Sequence, residues 1–375
     1  MSLSQVRIRR DILERFCQEV FQEVGLSQGD AEISAEVLVA ADTRAIPSHG
    51  VARLWRYVNG LKTGLMRPDA EPAVIKETPT SLVIDAHGAM GAPVSVRTME
   101  QLIEKAGLSG IGFGCVRDSN HFGIAGYYAM LALDADMLGL AMTNTAALGV
   151  PTFGGKAMYG TNPLAFAAPA DAERAFVLDM STTTVTRGTI EVCHRQGKPL
   201  APGWAVDETG STTTDAGRVL EALSHRVGGL LPLGGAGELL GGHKGYGLAV
   251  MVDILSAVLC GASFGPQVAD TETSSARVSH FFGAIAIDRF RDPQAFRRDM
   301  DSMLQQLRET PVAAGAERIY VAGEKEFQHE AEVAERGVPL TVKVYERICA
   351  IGSEQGVDPP PVLSEGFASA SGPPG

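Results

Sequence analysis

Apolar residues return at three- and four-residue steps through Ile12, Leu13, Phe16, Val20, Phe21 and Val24, pause at Gly25, and resume with Ile33, Val37 and Leu38. A period near 3.6 puts such positions on one face, so the spacing predicts two helices between Arg10 and Ala41. A third helix, entered after Gly50, is closed by Gly64 and Pro68. From Ala73 to Asp85 the pattern shortens to β-like runs such as Ser81-Leu82-Val83-Ile84. Val94 to Ala106 is helical in period, and Gly110 to Val116 reads as a buried strand whose downstream loop carries Asn120 and His121. A helix over Tyr127 to Ala135, a strand over Leu138 to Thr143 and a strand pair between Ala165 and Leu178 follow. Gly197 to Gly217 is polar and turn-rich, as expected of a surface excursion, and Gly228 to Gly242 holds seven glycines in fifteen residues, as expected of a loop. Then come a helix over Lys244 to Leu259, a strand over Phe281 to Ile287, and an amphipathic helix over Gln294 to Glu309 with Phe296, Met300, Met303, Leu304 and Leu307 on one side. Val357 to Gly375 is Pro, Gly, Ser and Ala with little apolar content, the composition of a disordered tail.

Composition narrows the function classes. The 375 residues, 45% hydrophobic and 20% charged, are enough for a full core and two or three domains. A net charge of −12 argues against nucleic acid or an anionic membrane as partner, since either needs a basic surface. Met1 to Arg10 has no apolar core of signal-peptide length, and the longest apolar run, Leu248 to Leu259, is broken by Asp253, so a cytoplasmic address is expected. Five cysteines, at 17, 115, 193, 260 and 349, are odd in number and widely spaced, which predicts reduced thiols. The histidines are equally scattered, and no metal site is expected.

Chemistry concentrates in Ser48-His49 with Arg53 and Tyr57 close behind. In a helix Arg53 and Tyr57 stand one turn apart, beside a histidine at the helix entrance. A group that exchanges a proton at an oxygen, next to a guanidinium that clamps a carboxylate, is what hydride exchange on a 2-oxo acid requires. Alone, the segment also suits a helix cap or a satisfied core histidine. Three further blocks change the balance: Asn120-His121-Phe122-Gly123, Gly160-Thr161-Asn162-Pro163 leading into Asp179-Met180-Ser181-Thr182, and Gly241-Gly242-His243-Lys244-Gly245. No Gly-x-Gly-x-x-Gly follows a strand; the cluster Gly110 to Gly114 has the wrong spacing and is itself strand-like.

In order and spacing these blocks resemble the type-2 malate/L-lactate dehydrogenase family from about Val6 to Leu340, a family that includes ureidoglycolate and sulfolactate dehydrogenases, a diketogulonate reductase and a cyclic-imine reductase. The resemblance implies an α/β fold with a non-Rossmann, NAD(P)-binding mixed sheet and a helical region from both ends of the chain. The expected division is 1–75 with 290–355 as helical region, 76–130 with 245–289 as an α/β region, 131–244 as nucleotide-binding region, and 356–375 as tail. It further implies hydride transfer between a nicotinamide and a small 2-hydroxy or 2-oxo acid, malate or L-lactate first. Ureidoglycolate, sulfolactate, a cyclic imine acid, or a non-catalytic nucleotide-binding homologue stand as alternatives.

By the same resemblance His49 exchanges the proton with Ser48 orienting it, His121 competes for that role, and Arg53, Tyr57 and Asn162 face the substrate. Thr145, Asp179, Met180, Ser181, Thr182, His243, Lys244, Gly245, Gly323, Glu324 and Lys325 match positions that contact the cofactor, expected to be NAD with NADP left open. A homodimer with the cleft near the subunit boundary is implied as well. The chain departs from the family pattern at Pro47, where relatives often carry an acid, at Ser181-Thr182-Thr183, and over the irregular stretch Ser263 to His280.

Overall fold

A computed structural model describes residues 5–271 and 275–363. In chain order the elements begin with β1 (Gln5–Ile8), α1 (Arg10–Glu23), α2 (Gln28–Thr43), α3 (Leu54–Lys62), β2 (Ala73–Glu77), β3 (Ser81–Asp85), α4 (Gly91–Ser109), β4 (Ile111–Ser119), α5 (Ala125–Met130), β5 (Met137–Thr143), β6 (Leu164–Ala168) and β7 (Phe176–Met180). They continue with α6 (Arg187–Gln196), β8 (Ala205–Val206), α7 (Ala216–Ser224), β9 (Gly229–Leu230), α8 (Gly242–Ser256), β10 (Val278–Ala286), α9 (Pro293–Glu309), α10 (Glu324–Arg336), β11 (Val338–Thr341) and α11 (Val342–Glu354). The chain forms two compact units, 1–58 with 326–375, and 59–325.

In the terminal unit α1 buries Leu13, Phe16, Val20 and Phe21, and α2 buries Val37 and Leu38, positions marked by the helical period. Ser27 caps α2 by accepting from Asp30 N (3.2 Å), and Thr341 caps α11 by accepting from Val344 N (3.3 Å). β1 and β11 pair antiparallel, Ile8 opposite Val338. The expected tail is corrected over its first residues: Val357 and Pro360 are buried, Tyr345 Oη donates to Pro360 O (3.2 Å), and Leu363 N donates to Arg7 O (2.9 Å). Composition misses this because two small apolar anchors and a few backbone bonds suffice to hold an extended segment. The remainder of the tail, 364–375, lies outside the described residues.

The central unit is built on a seven-stranded sheet of order β2-β3-β4-β10-β5-β6-β7. Only β3 and β4 run parallel, joined by the α4 crossover; every other neighbouring pair is antiparallel. A doubly wound parallel sheet is thereby ruled out. Helix α8 covers one face, where Val252 packs with Cys115, Met142 and Phe281. On the other, Phe282 meets Phe122 and Tyr128. The glycine cluster Gly110 to Gly114, read as strand-like, serves packing: a Cβ at Gly112 would overlap the Leu102 carbonyl, so its absence lets α4 settle on the strand.

Three expectations about organisation change. Helix α9 packs Met300 and Leu304 against Ala168 and Phe176, which places it in the central unit and not with the terminal helices. The stretches 76–130, 131–244 and 245–289 share one sheet, because β10 inserts between β4 and β5. The supposed surface excursion Gly197 to Gly217 buries Leu200, Ala205 and Ala216 in a small core with Ile190, Val219 and Leu230, since α6 and α7 supply the apolar partners that the excursion lacks.

Candidate active site

The terminal unit positions Ser48, His49, Arg53 and Tyr57 on the entry to α3 and its first turns. Ser48 Oγ lies 2.9 Å from His49 Nδ1, and Arg53 Nε donates to Ser48 O (2.7 Å), closing the segment on itself. His49 is half-buried. Burial, with a smaller contribution from the Arg53 charge, pushes its pKa down to about 4, so its imidazole is neutral near pH 7. Tyr57 is buried edge-on against Phe21, with ring centroids 6.3 Å apart, and burial raises its phenol to about 12.

Beneath this segment lies Asp42, a residue that the sequence reading did not single out. Its carboxylate is buried and accepts from Val51 N (2.7 Å), capping the turn that carries Arg53. A Cβ at Gly50 would overlap that carboxylate, so the glycine is what lets the acid approach. A charge at the end of the apolar run Val37 to Ala41 was the available signal.

In the central unit His121 follows β4. Asn120 is buried, and its amide donates to Gly88 O (2.9 Å) and Ala89 O (2.8 Å). Gly123 N donates to His121 Nδ1 (3.3 Å), which fixes one edge of the ring against its own loop. Asn162 was expected at the substrate, but the structure spends it on scaffolding. It is fully buried with φ of 37°, donates to Ala249 O (2.9 Å) and Asp253 Oδ2 (3.1 Å), and accepts from Thr145 N (3.4 Å). Its amide therefore ties the β6 entrance to α8.

The residues expected at a cofactor divide in the same way. Thr182 is fully buried, and its hydroxyl is engaged with the carbonyls of Thr161 and Asn162. Glu324 is tied to Arg318 and Arg308 and accepts from Val321 N, while Lys325 lies over the Tyr320 ring. Thr145 Oγ1 accepts from Thr161 N (3.0 Å), and Ser181 Oγ reaches Thr183 O (3.1 Å); both remain partly exposed. Asp179 Oδ2 accepts from Gly126 N (2.7 Å) at the start of α5, and Met180 closes β7 opposite Leu164. Gly323, with φ of 90°, packs on Val177, which brings the late segment beside β7.

His243, Lys244 and Gly245 form the first turn of the fifteen-residue α8, where no side chain caps the helix. A Cβ at Gly242 or Gly245 would overlap the Gly235 or Leu233 carbonyl, while His243 and Lys244 are exposed. Close backbone, a helix N-terminus and a lysine form a donor set that fits the pyrophosphate of a nicotinamide nucleotide. Among the described residues no three His, Cys, Asp or Glu side chains gather as a metal site.

Comparison with known proteins places the fold. The profile described as malate/L-lactate dehydrogenase matches residues 8–349. Malate dehydrogenase of Pyrococcus horikoshii is 40% identical over 353 residues, 94% of this chain and 96% of its own length. L-sulfolactate dehydrogenase of Methanocaldococcus jannaschii is 35% identical over 342 residues, 91% of this chain and 94% of its own. The crystal structure of malate dehydrogenase from Entamoeba histolytica superposes with a TM-score of 0.91 at 34% identity, covering 94% of this chain and 99% of that one. With the family profile, the sequence identity and the fold in accord over nearly the whole length, the chain belongs to the malate/L-lactate dehydrogenase family and is an oxidoreductase that works with a nicotinamide cofactor.

Proposed function

We propose that the protein is an NAD(H)-dependent dehydrogenase of a small 2-hydroxy acid, with malate and oxaloacetate as the first pair. The observation that carries this is the closed Ser48, His49, Arg53 arrangement in a chain 40% identical to a malate dehydrogenase. When bound, the nicotinamide supplies or accepts the hydride. Lys244 and the α8 turn, with Thr145, Asp179 and Ser181, are the residues that would hold the nucleotide.

His49 exchanges the proton. In the free protein its imidazole is neutral, the form that takes a proton from the hydroxyl of a 2-hydroxy acid. A substrate carboxylate paired with Arg53 cancels the smaller, Arg53 part of the lowering and adds an opposite charge beside the ring, which moves it toward the protonated form that a 2-oxo acid needs. Ser48 fixes the ring through Nδ1 and directs Nε2 to the reaction. NADH and NADPH oxidation with oxaloacetate, pyruvate, 2-oxoglutarate, sulfopyruvate and a cyclic imine acid tests the assignment. The highest kcat/KM is expected with NADH and oxaloacetate; a clear preference for sulfopyruvate or the imine moves the substrate elsewhere in the family.

The assembly proposed is a homodimer. Helix α8 buries Ala249, Val252 and Ser256 but leaves Val250 and Ile254 exposed, with Val258 and Leu259 beyond its end. A second copy would cover that apolar stripe. Sedimentation should show a dimer that Ile254→Glu dissociates; binding of the native protein to lipid vesicles in its place would reassign the stripe to a membrane surface.

A further inference from the structure

His280 is fully buried near the start of β10, the central strand of the sheet. Its cross-strand partner on β5 is Thr143, whose Oγ1 lies 2.8 Å from His280 Nδ1. On the β4 side the register slips: Val278 faces Ser119 but His280 faces Val116, so β4 carries one extra residue there. Asp118, with φ of 50°, lies within that bulge. Ser119 Oγ is thereby brought to 2.8 Å from His280 Nε2.

Both ring nitrogens thus meet a hydroxyl, Nδ1 that of Thr143 and Nε2 that of Ser119, and each hydroxyl also reaches backbone carbonyls, Thr143 Oγ1 those of Asn144 and Ser279 (3.0 Å each) and Ser119 Oγ that of Asn120 (3.5 Å). Burial, opposed by a hydrogen bond to the Asn120 backbone, pushes the ring's pKa down to about 3, so the imidazole is neutral. The imidazole also stacks on Phe122 with centroids 4.4 Å apart and planes at 4°, and Phe122 stacks in turn on Tyr128 at 4.7 Å. The Tyr128 hydroxyl donates to Phe122 O.

His280 thus grips Ser119, two residues before His121, and Phe122, one residue after it. We infer that His280 is a positioning residue of the His121 loop, holding it from inside the sheet, an inference that rests on the place at the reaction, beside His49, that the family resemblance implies for His121. A buried network with all partners satisfied has one low-energy arrangement, which is what a reacting group needs behind it. The alternative is a core plug that stabilises the sheet and leaves His121 unaffected.

The test uses His280→Phe, which keeps the ring and its stack but deletes both nitrogens, alongside Ser119→Ala. Two quantities are read: steady-state kinetics with NADH and oxaloacetate, and the ring Cε1–H NMR signal of His121, assigned by its loss in His121→Ala. The expected result is a kcat lower by about 10- to 100-fold, the cost of a misplacement near 1 Å, with KM nearly unchanged and the His121 signal shifted or broadened. A folded variant with native turnover and an unmoved signal overturns the inference, as does a loss of turnover with the signal unmoved. A moved signal with native turnover upholds the positioning and instead removes His121 from the reaction. Should His280→Phe not fold, Ser119→Ala decides by the same two quantities.

Discussion

The segment from Ser48 to Tyr57 and the surroundings of His121 hold a histidine by opposite means. In the first, the partners are near in sequence: Ser48 adjoins His49, Arg53 reaches back five residues to Ser48, and Asp42 stands nine residues before Val51. In the second, His280 bonds across 137 and 161 residues to Thr143 and Ser119. The Ser48 and Arg53 bonds of the local segment are exposed, so water competes for them and each contributes only about 1 kcal/mol, while the Asp42 cap beneath them is buried. The sheet network is dry, and leaving one of its groups unpaired costs about 1 to 3 kcal/mol. A group whose protonation must follow substrate belongs in the first environment, and a group that must not change state belongs in the second.

The largest effect expected is on the proton donor. His49→Ala should lower turnover about 10²- to 10⁴-fold while NADH binding changes little, as single-turnover kinetics and titration will show. A near-normal His49→Ala with a collapsed His121→Ala would transfer the role to the sheet-supported histidine and reverse the comparison.

Asp42 sharpens it next. Burial raises its carboxyl to about 7 against the weaker opposing pull of Val51 N, from an unfolded value of about 3.9. Between those values the folded chain keeps a proton that the unfolded chain has released. Stability must therefore fall as pH rises through that window, by at most about 1.4 kcal/mol per unit. Thermal melts from pH 4 to 8 should show this slope in the wild type and a flatter one in Asp42→Asn; parallel slopes would remove Asp42 as its source.

Two smaller effects complete the series. Arg53→Lys loses planar pairing with a carboxylate and should raise the substrate KM about 10-fold, with kcat reduced less. An unchanged KM would move the clamp away from the local segment. Lys244→Ala should weaken NADH only a few-fold, and less at high salt, since an exposed lysine at a helix start contributes under about 1 kcal/mol.

Much of this molecule is legible one segment at a time. The helical period placed α1, α2, α8 and α9, because burial of one face repeats with the helix itself. The glycine spacing also excluded a Rossmann loop. Site residues were legible where both partners lie within one turn, as for Ser48, His49 and Arg53. Asn162 and Thr182 were less legible because a polar side chain in a glycine-rich motif looks the same whether it faces a ligand or a carbonyl; only the fold shows both engaged inside. His280 was missed, since it ended the stretch Ser263 to His280 read as irregular, and β10, buried on both faces, shows no alternation that would have claimed it for the strand.

The sequence by itself determined the kind of chemistry and the local geometry of its first segment, since hydrogen bonds and helix turns over a few residues follow from the identities of those residues. Only the tertiary structure decided that β10 enters between β4 and β5, that a bulge at Asp118 turns Ser119 toward His280, and that the loop bearing His121 is fixed from within. Strand order and register are set by pairings between residues more than a hundred positions apart, and no local pattern records which strands will meet.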